Sequence, residues 1–182
     1  MLWNAWQVPS RGRFPVSPRA GGAMKSLTIA LGLVLGCSTA GAADEQLTVK
    51  LRAFSADTAA KIAAAAYADC TKKGFKVAAA IVGRDGNLLA FLRNPLAGPH
   101  TVQVSQQKAY AAASFQVPTS AMGEMRDLAF APGVILAVGG VPIDVAGHFY
   151  GGIAVSGADP KTDEVCAQAG IEAVREQLEF TD

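Results

Sequence analysis

The segment Gly98-Pro99-His100-Thr101-Val102-Gln103-Val104-Ser105-Gln106-Gln107-Lys108-Ala109-Tyr110 carries the densest chemistry in the chain. Wound as a helix, it puts Val104, Lys108, Ala111 and Phe115 on one face, so Lys108 interrupts an apolar stripe. An ammonium in that position must snorkel to water, find a carboxylate or face a ligand. His100 stands eight residues earlier, about 12 Å along a helix axis and near the same face. That separation lets an imidazole meet one part of a large flat ligand while the lysine meets an acidic group on it, with Tyr110 peripheral and off that face. Spacing alone favours an exposed loop histidine and a lysine that snorkels at a subunit contact. His148 and Tyr150 alternate onto one face of a strand and are read as surface or interface residues. Met122 and Met125 read as fillers of core gaps.

Other chemistries find little support. The chain has no GxSxG elbow, no P-loop, no GxGxxG and no HExxH. Its two histidines, His100 and His148, are far apart, as are Cys70 and Cys166, which does not suit a mononuclear zinc site of three or four protein ligands. Those two cysteines either form one disulfide or rest as buried thiols, and the residue pattern leaves both readings open.

The elements that must position these residues are marked by local signals. Leu47, Val49 and Leu51 alternate with polar partners in a short strand or extended arm over 44–53. Ser55 has the character of an N-cap, Asp57 falls in the first turn, and a helix runs to Gly74 with Lys72 and Lys73 in its last turn. Ile62, Ala66 and Cys70 share a face of it. The apolar run Val77 to Val82 meets the turn Arg84-Asp85-Gly86-Asn87 and returns through Leu88 to Arg93 as a hairpin. A second helix spans Thr101 to Phe115 and breaks at Val117-Pro118. Thr119 or Ser120 caps a third, shorter helix holding Met122, Met125 and Leu128, which ends at Pro132-Gly133. Three glycine-punctuated strands follow, over 134–138, 141–146 and 148–156, and Asp159-Pro160 opens a closing helix with an Ala167, Ile171, Val174, Leu178 stripe. This order predicts an α+β domain built on an antiparallel sheet.

The amino-terminal region reads as a targeting segment. Met24-Lys25 precedes the apolar run Ser26 to Gly36, and small residues Ala40-Gly41-Ala42-Ala43 follow. One cation, a short apolar core and an A-x-A-like end describe a secretory signal, and the core is shorter than the ~20 residues of a membrane span. The expected organisation is an upstream mis-translated extension over 1–23, a signal peptide over 24–43 and one domain over 44–182. Removal of Arg11, Arg13, Arg19 and Lys25 leaves 12 basic against 15 acidic residues, where the whole chain carries a net charge of +1. A mildly acidic domain without basic blocks does not suit nucleic acid or an anionic membrane surface.

Several motifs together resemble the GlcG/HbpS haem-binding family. Ala80-Ile81-Val82-Gly83-Arg84-Asp85-Gly86 resembles its VAVVDRDG hairpin, and Gln107-Lys108-Ala109-Tyr110-Ala111-Ala112-Ala113-Ser114-Phe115 resembles its KAxTAAxF helix. Gly139-Gly140-Val141-Pro142-Ile143 is similar to its GGxPI turn, Gly151-Gly152-Ile153-Ala154-Val155-Ser156-Gly157 to its GAIGVSG strand, and Asp163 to Gly170 to its C-terminal pattern. The matches run in order over roughly 55–180. Gly83 stands where the family often has Asp, Ala111 where it has Thr, and Ala154 where it has Gly. The resemblance implies a profilin-like antiparallel sheet of about five strands with helices on its faces. It also implies homo-oligomers and haem as the leading ligand; with the secretory signal, the expectation is a periplasmic or secreted binding protein. His100 is then the candidate haem contact and iron ligand, with Lys108 pairing with a propionate. An enzyme that degrades haem or acts on a small organic acid is the alternative from another class. A third reading is an accessory assembly domain without ligand.

Overall fold

The computed structural model describes residues 47–181; the expected upstream extension and signal segment fall outside them, as does residue 182. Three α-helices and four strands form an α+β domain: α1 (Ala56–Lys72), β1 (Ala78–Gly83), β2 (Leu88–Arg93), α2 (Thr101–Phe115), β3 (Gly140–Val145), β4 (His148–Ser156) and α3 (Pro160–Glu179). The sheet order is β2-β1-β4-β3 and every neighbouring pair is antiparallel. Two hairpins are thus joined through β1 and β4, the central strands, which are buried along almost their whole length.

Period-two alternation divides the core between the two faces of the sheet. Ala79, Ile81, Ile143, Ile153 and Val155 point toward α1 and α3, where Ile62, Ala66, Ile171 and Val174 complete the larger core. Ala80, Val82 and Ala154 point the other way, toward Ala109 and Ala113 of α2. That second face is floored by small residues for a steric reason. A Cβ on Gly152 would lie 2.4 Å from the Ala109 carbonyl oxygen, and one on Gly140 would lie 2.5 Å from that of Lys108. Helix α2 therefore rests backbone to backbone on the sheet.

Helix boundaries follow their caps. The Ser55 side chain accepts a hydrogen bond from the Thr58 N–H, and the Asp159 carboxylate accepts one from Thr162, with Pro160 in the first turn of α3. Cys70 in α1 and Cys166 in α3 form a disulfide across 96 residues, with Cα atoms 5.6 Å apart, which closes the question the sequence left open.

Three expectations change. The sheet has four strands, not about five. Residues 134–138 are irregular because the chain turns at Gly139, φ +123°, so the ladder with β4 begins only at the Gly140–Ala154 pair. Of the two readings of 47–53 the extended arm holds: it is unpaired, and Leu47, Val49 and Leu51 are 84%, 71% and 64% exposed. The third helix is two 3-10 turns, Thr119–Met122 and Arg126–Phe130. Gly123 follows the first turn; only Thr119 and Met122 are buried, so Met125 fills no core gap and the second turn lacks an apolar face to anchor a longer helix.

Candidate functional site

Helix α2 turns one face inward. Thr101, Ser105, Lys108, Ala109 and Ala112 are buried, whereas Gln103 and Ser114 are exposed and Gln106, Gln107 and Tyr110 are half-buried. Lys108 belongs wholly to the inner face, its residue 4% exposed. Its Nζ donates to the Val155 carbonyl at 3.1 Å and to Asp163 Oδ2 at 2.9 Å. Asp163, in the first turn of α3, uses its other oxygen to accept the Ala158 N–H at 3.0 Å. Burial pushes the Asp163 carboxyl above the ordinary carboxylate range, and the Lys108 ammonium and the Ala158 N–H pull it partly back. Of the three fates open to a lysine in an apolar stripe, this one has found a carboxylate. In this arrangement its ammonium meets a propionate only if the pair opens.

His100 lies elsewhere. It is exposed at the N-cap position of α2, and its ring folds back over Gly98, where an added Cβ would lie 2.6 Å from the His100 Cε1. The structure therefore does not bring His100 and Lys108 onto one face. By helical spacing His100 continues the outer stripe of Gln103, Gln107 and Tyr110. Tyr110, read from the sequence as peripheral, belongs to this stripe. With Val82, Leu88 and Gly133 it lines a shallow depression of about 210 Å³.

The end of β2, just before the loop that feeds α2, supplies a residue that sequence reasoning passed over. The Arg93 guanidinium donates to the Ala97 carbonyl, three residues before His100. Its Nε is buried without a hydrogen-bond partner among the described residues. A buried orphan donor is costly and marks a place where an acceptor would be welcome. Only its position as the last residue of a strand before Asn94-Pro95 hinted at it.

His148 is exposed, as expected, but Tyr150 is not a surface residue. It is 4% exposed and stacks on Phe54 with ring centroids 4.8 Å apart and planes 15° apart. The shift of register between Ile143 and Asp144 in the β3–β4 ladder interrupts simple alternation at this end of β4. Among the described residues no three His, Cys, Asp or Glu side chains converge on a metal-sized site.

The chain matches the family model described as "Haem degrading protein HbpS-like" over residues 54–172. It is similar to the crystal structure of HbpS, with 32% identity over 70% of this chain and 94% of that one and a TM-score of 0.67. A double mutant of HbpS from Streptomyces reticuli gives 33% identity, 73% and 94% coverage, and the same TM-score. A PduOC–haem complex shares the fold at 22% identity, with 67% and 95% coverage and a TM-score of 0.60. No curated protein matches the chain by sequence. Matched over most of its described residues, the chain belongs to the HbpS-like family.

Proposed function

We propose that this protein is a secreted or periplasmic, homo-oligomeric haem-binding protein. His100 would supply a nitrogen donor to the iron of a haem docked along the outer stripe of α2. Arg93, at the end of β2, would supply a donor for a propionate. Lys108 serves the site through Asp163, fixing the helix, and does not itself meet the propionate. The observation that carries the reading is an exposed imidazole at the start of α2 and a buried orphan guanidinium nitrogen whose group bonds the preceding loop at Ala97, in a chain of a family described as haem degrading. Those donors fit the group: a neutral imidazole is an ordinary haem ligand, and a guanidinium pairs well with a carboxylate. Bound haem would supply a redox-active iron.

Two further features support the setting. A buried disulfide is at home in an oxidising compartment. Exposed apolar side chains at Leu96, Phe130 and along the 47–51 arm suit contacts between copies.

Haemin titration of the purified protein tests the reading. A saturable Soret band is expected, and its position should change in His100→Ala. Lys108→Ala should weaken binding and leave the band position alone. Absence of saturable binding overturns the haem reading; parent-like behaviour of His100→Ala overturns the site. The family description also favours haem degradation as a second reading. Loss of the band with reductant and oxygen, together with released iron or bile pigment, would establish it.

A further inference from the structure

We infer that a groove between the 51–54 arm and the β1–β2 turn binds a small amphipathic monocarboxylate, its apolar body inside and its carboxylate between Arg52 and Arg84. The site is separate from the α2 stripe and does not depend on haem binding.

The cavity measures about 430 Å³, within the range of small-molecule sites. Leu51, Leu89 and the stacked Phe54–Tyr150 pair give it an apolar interior. Gly83 keeps the floor open, because a Cβ there would lie 2.8 Å from Asp85 Oδ1 and 3.4 Å from Leu89 Cδ1.

The two arginines that line the groove are held by main-chain acceptors. Arg84 donates to the Phe149 carbonyl at 3.0 Å and stands 5.3 Å from the centre of the Phe149 ring. Arg52 donates to the Thr181 carbonyl at 2.7 Å. Each of these bonds uses one of five N–H donors, so each fork is oriented and keeps donors to spare. Among the described residues neither arginine is within ion-pair distance of a carboxylate. Asp85, the acidic residue at this rim, spends both oxygens on Asn87, accepting its N–H at 3.1 Å and its side-chain amide at 2.7 Å. On the far side of Arg52 and Arg84 a second depression adds Lys50 and His148, against a single acid, Asp144. An apolar interior lined by two anchored arginines with donors to spare matches a carboxylate on a hydrocarbon body, since Arg pairs with carboxylates through parallel hydrogen bonds.

Decanoate is the probe and decanol its uncharged control, followed by amide chemical-shift mapping and calorimetry on the purified protein without haem. Decanoate should saturate at one site, shift Leu51, Phe54, Arg84 and Tyr150, and bind about tenfold more tightly than decanol. Arg84→Gln and Arg52→Gln should each remove about that tenfold preference, with decanol unchanged. Leu89→Trp should weaken both probes by filling the cavity. If a variant fails to fold, the comparison of decanoate with decanol on the parent still decides. Equal affinity for the two, shifts outside the groove, or no saturable binding overturns the proposal. So does shielding of the groove by a second copy before any acid is added. Displacement of bound decanoate by stoichiometric haemin would assign the groove to haem propionates and likewise overturn it.

Discussion

Lys108 Nζ and Asp163 Oδ2 meet at 2.9 Å with both side chains buried, joining the helix on one face of the sheet to a helix on the other. The pair closes the sheet at the Val155 end of β4, where the same ammonium also bonds the Val155 carbonyl. Truncating one member leaves an uncompensated buried charge, so Lys108→Ala should cost about 3–5 kcal/mol. Replacing both with apolar residues, as in Lys108→Met with Asp163→Leu, should cost less than either single change. Urea denaturation of the four proteins measures the coupling. Additive losses would show that the two groups do not act as a pair.

The acids of this region should titrate in opposite directions. Burial raises the Asp163 carboxyl above its usual 3.8, whereas the hydrogen bond from Thr162 lowers that of Asp159. Asp163 therefore contributes stability that is complete below pH 3.8 and is lost as pH rises through its raised value. Asp159 contributes stability present above pH 3.8 and lost as pH falls through its lowered value. Carbon-13 titration of the two carboxyls should place their midpoints on either side of 3.8. Lys108→Met should raise that of Asp163 further. A midpoint for Asp163 below the ordinary value would refute this ordering.

The same two residues show how far the sequence could be read. Signals that act within a turn were legible: Ser55 and Asp159-Pro160 open helices where expected, and α2 spans the predicted Thr101 to Phe115. The stripe around Lys108 showed that the ammonium needed a partner. Asp163 is 55 residues away and carries no local mark of being that partner, so three fates stayed open. Strand number failed for a related reason. Alternation at 47–51 and the apolar run at 134–138 describe residues that can form strands, but a strand exists only where a neighbour supplies its ladder. The placement of His100 opposite Lys108 turned on where the inward face of α2 falls. Close backbone approach at Gly140 and Gly152, fixed by tertiary packing, decides that.

The disulfide should be a major stabilising feature. It joins α1 to α3 across a 96-residue separation and is fully buried. Long loops confer the larger stabilisation in the chain-entropy account, so Cys70→Ala with Cys166→Ala should cost about 2–5 kcal/mol. Mass mapping of non-reduced peptides should recover the linked pair. Two free thiols in the oxidised, folded protein would contradict the structure.

Glycine at 152 should be required for α2 to sit where it does. A methyl there would meet the Ala109 carbonyl oxygen at 2.4 Å and the Ala113 nitrogen at 2.9 Å, both main-chain atoms that no rotamer change can move. Gly152→Ala must therefore lift the helix or bend the strand, at a cost near the upper end of the ~1–3 kcal/mol seen for overpacked cores. Gly123→Ala is the matched control. Its φ is −56° and nothing lies within 4 Å of an added Cβ. That change should be neutral or stabilise by up to about 1 kcal/mol, through lower entropy of the unfolded chain. Because α2 carries both His100 and Lys108, Gly152→Ala should also alter the Soret band position of bound haem, while Gly123→Ala should not. Equal stability of the two variants would mean that α2 does not rest on the sheet as closely as the structure places it.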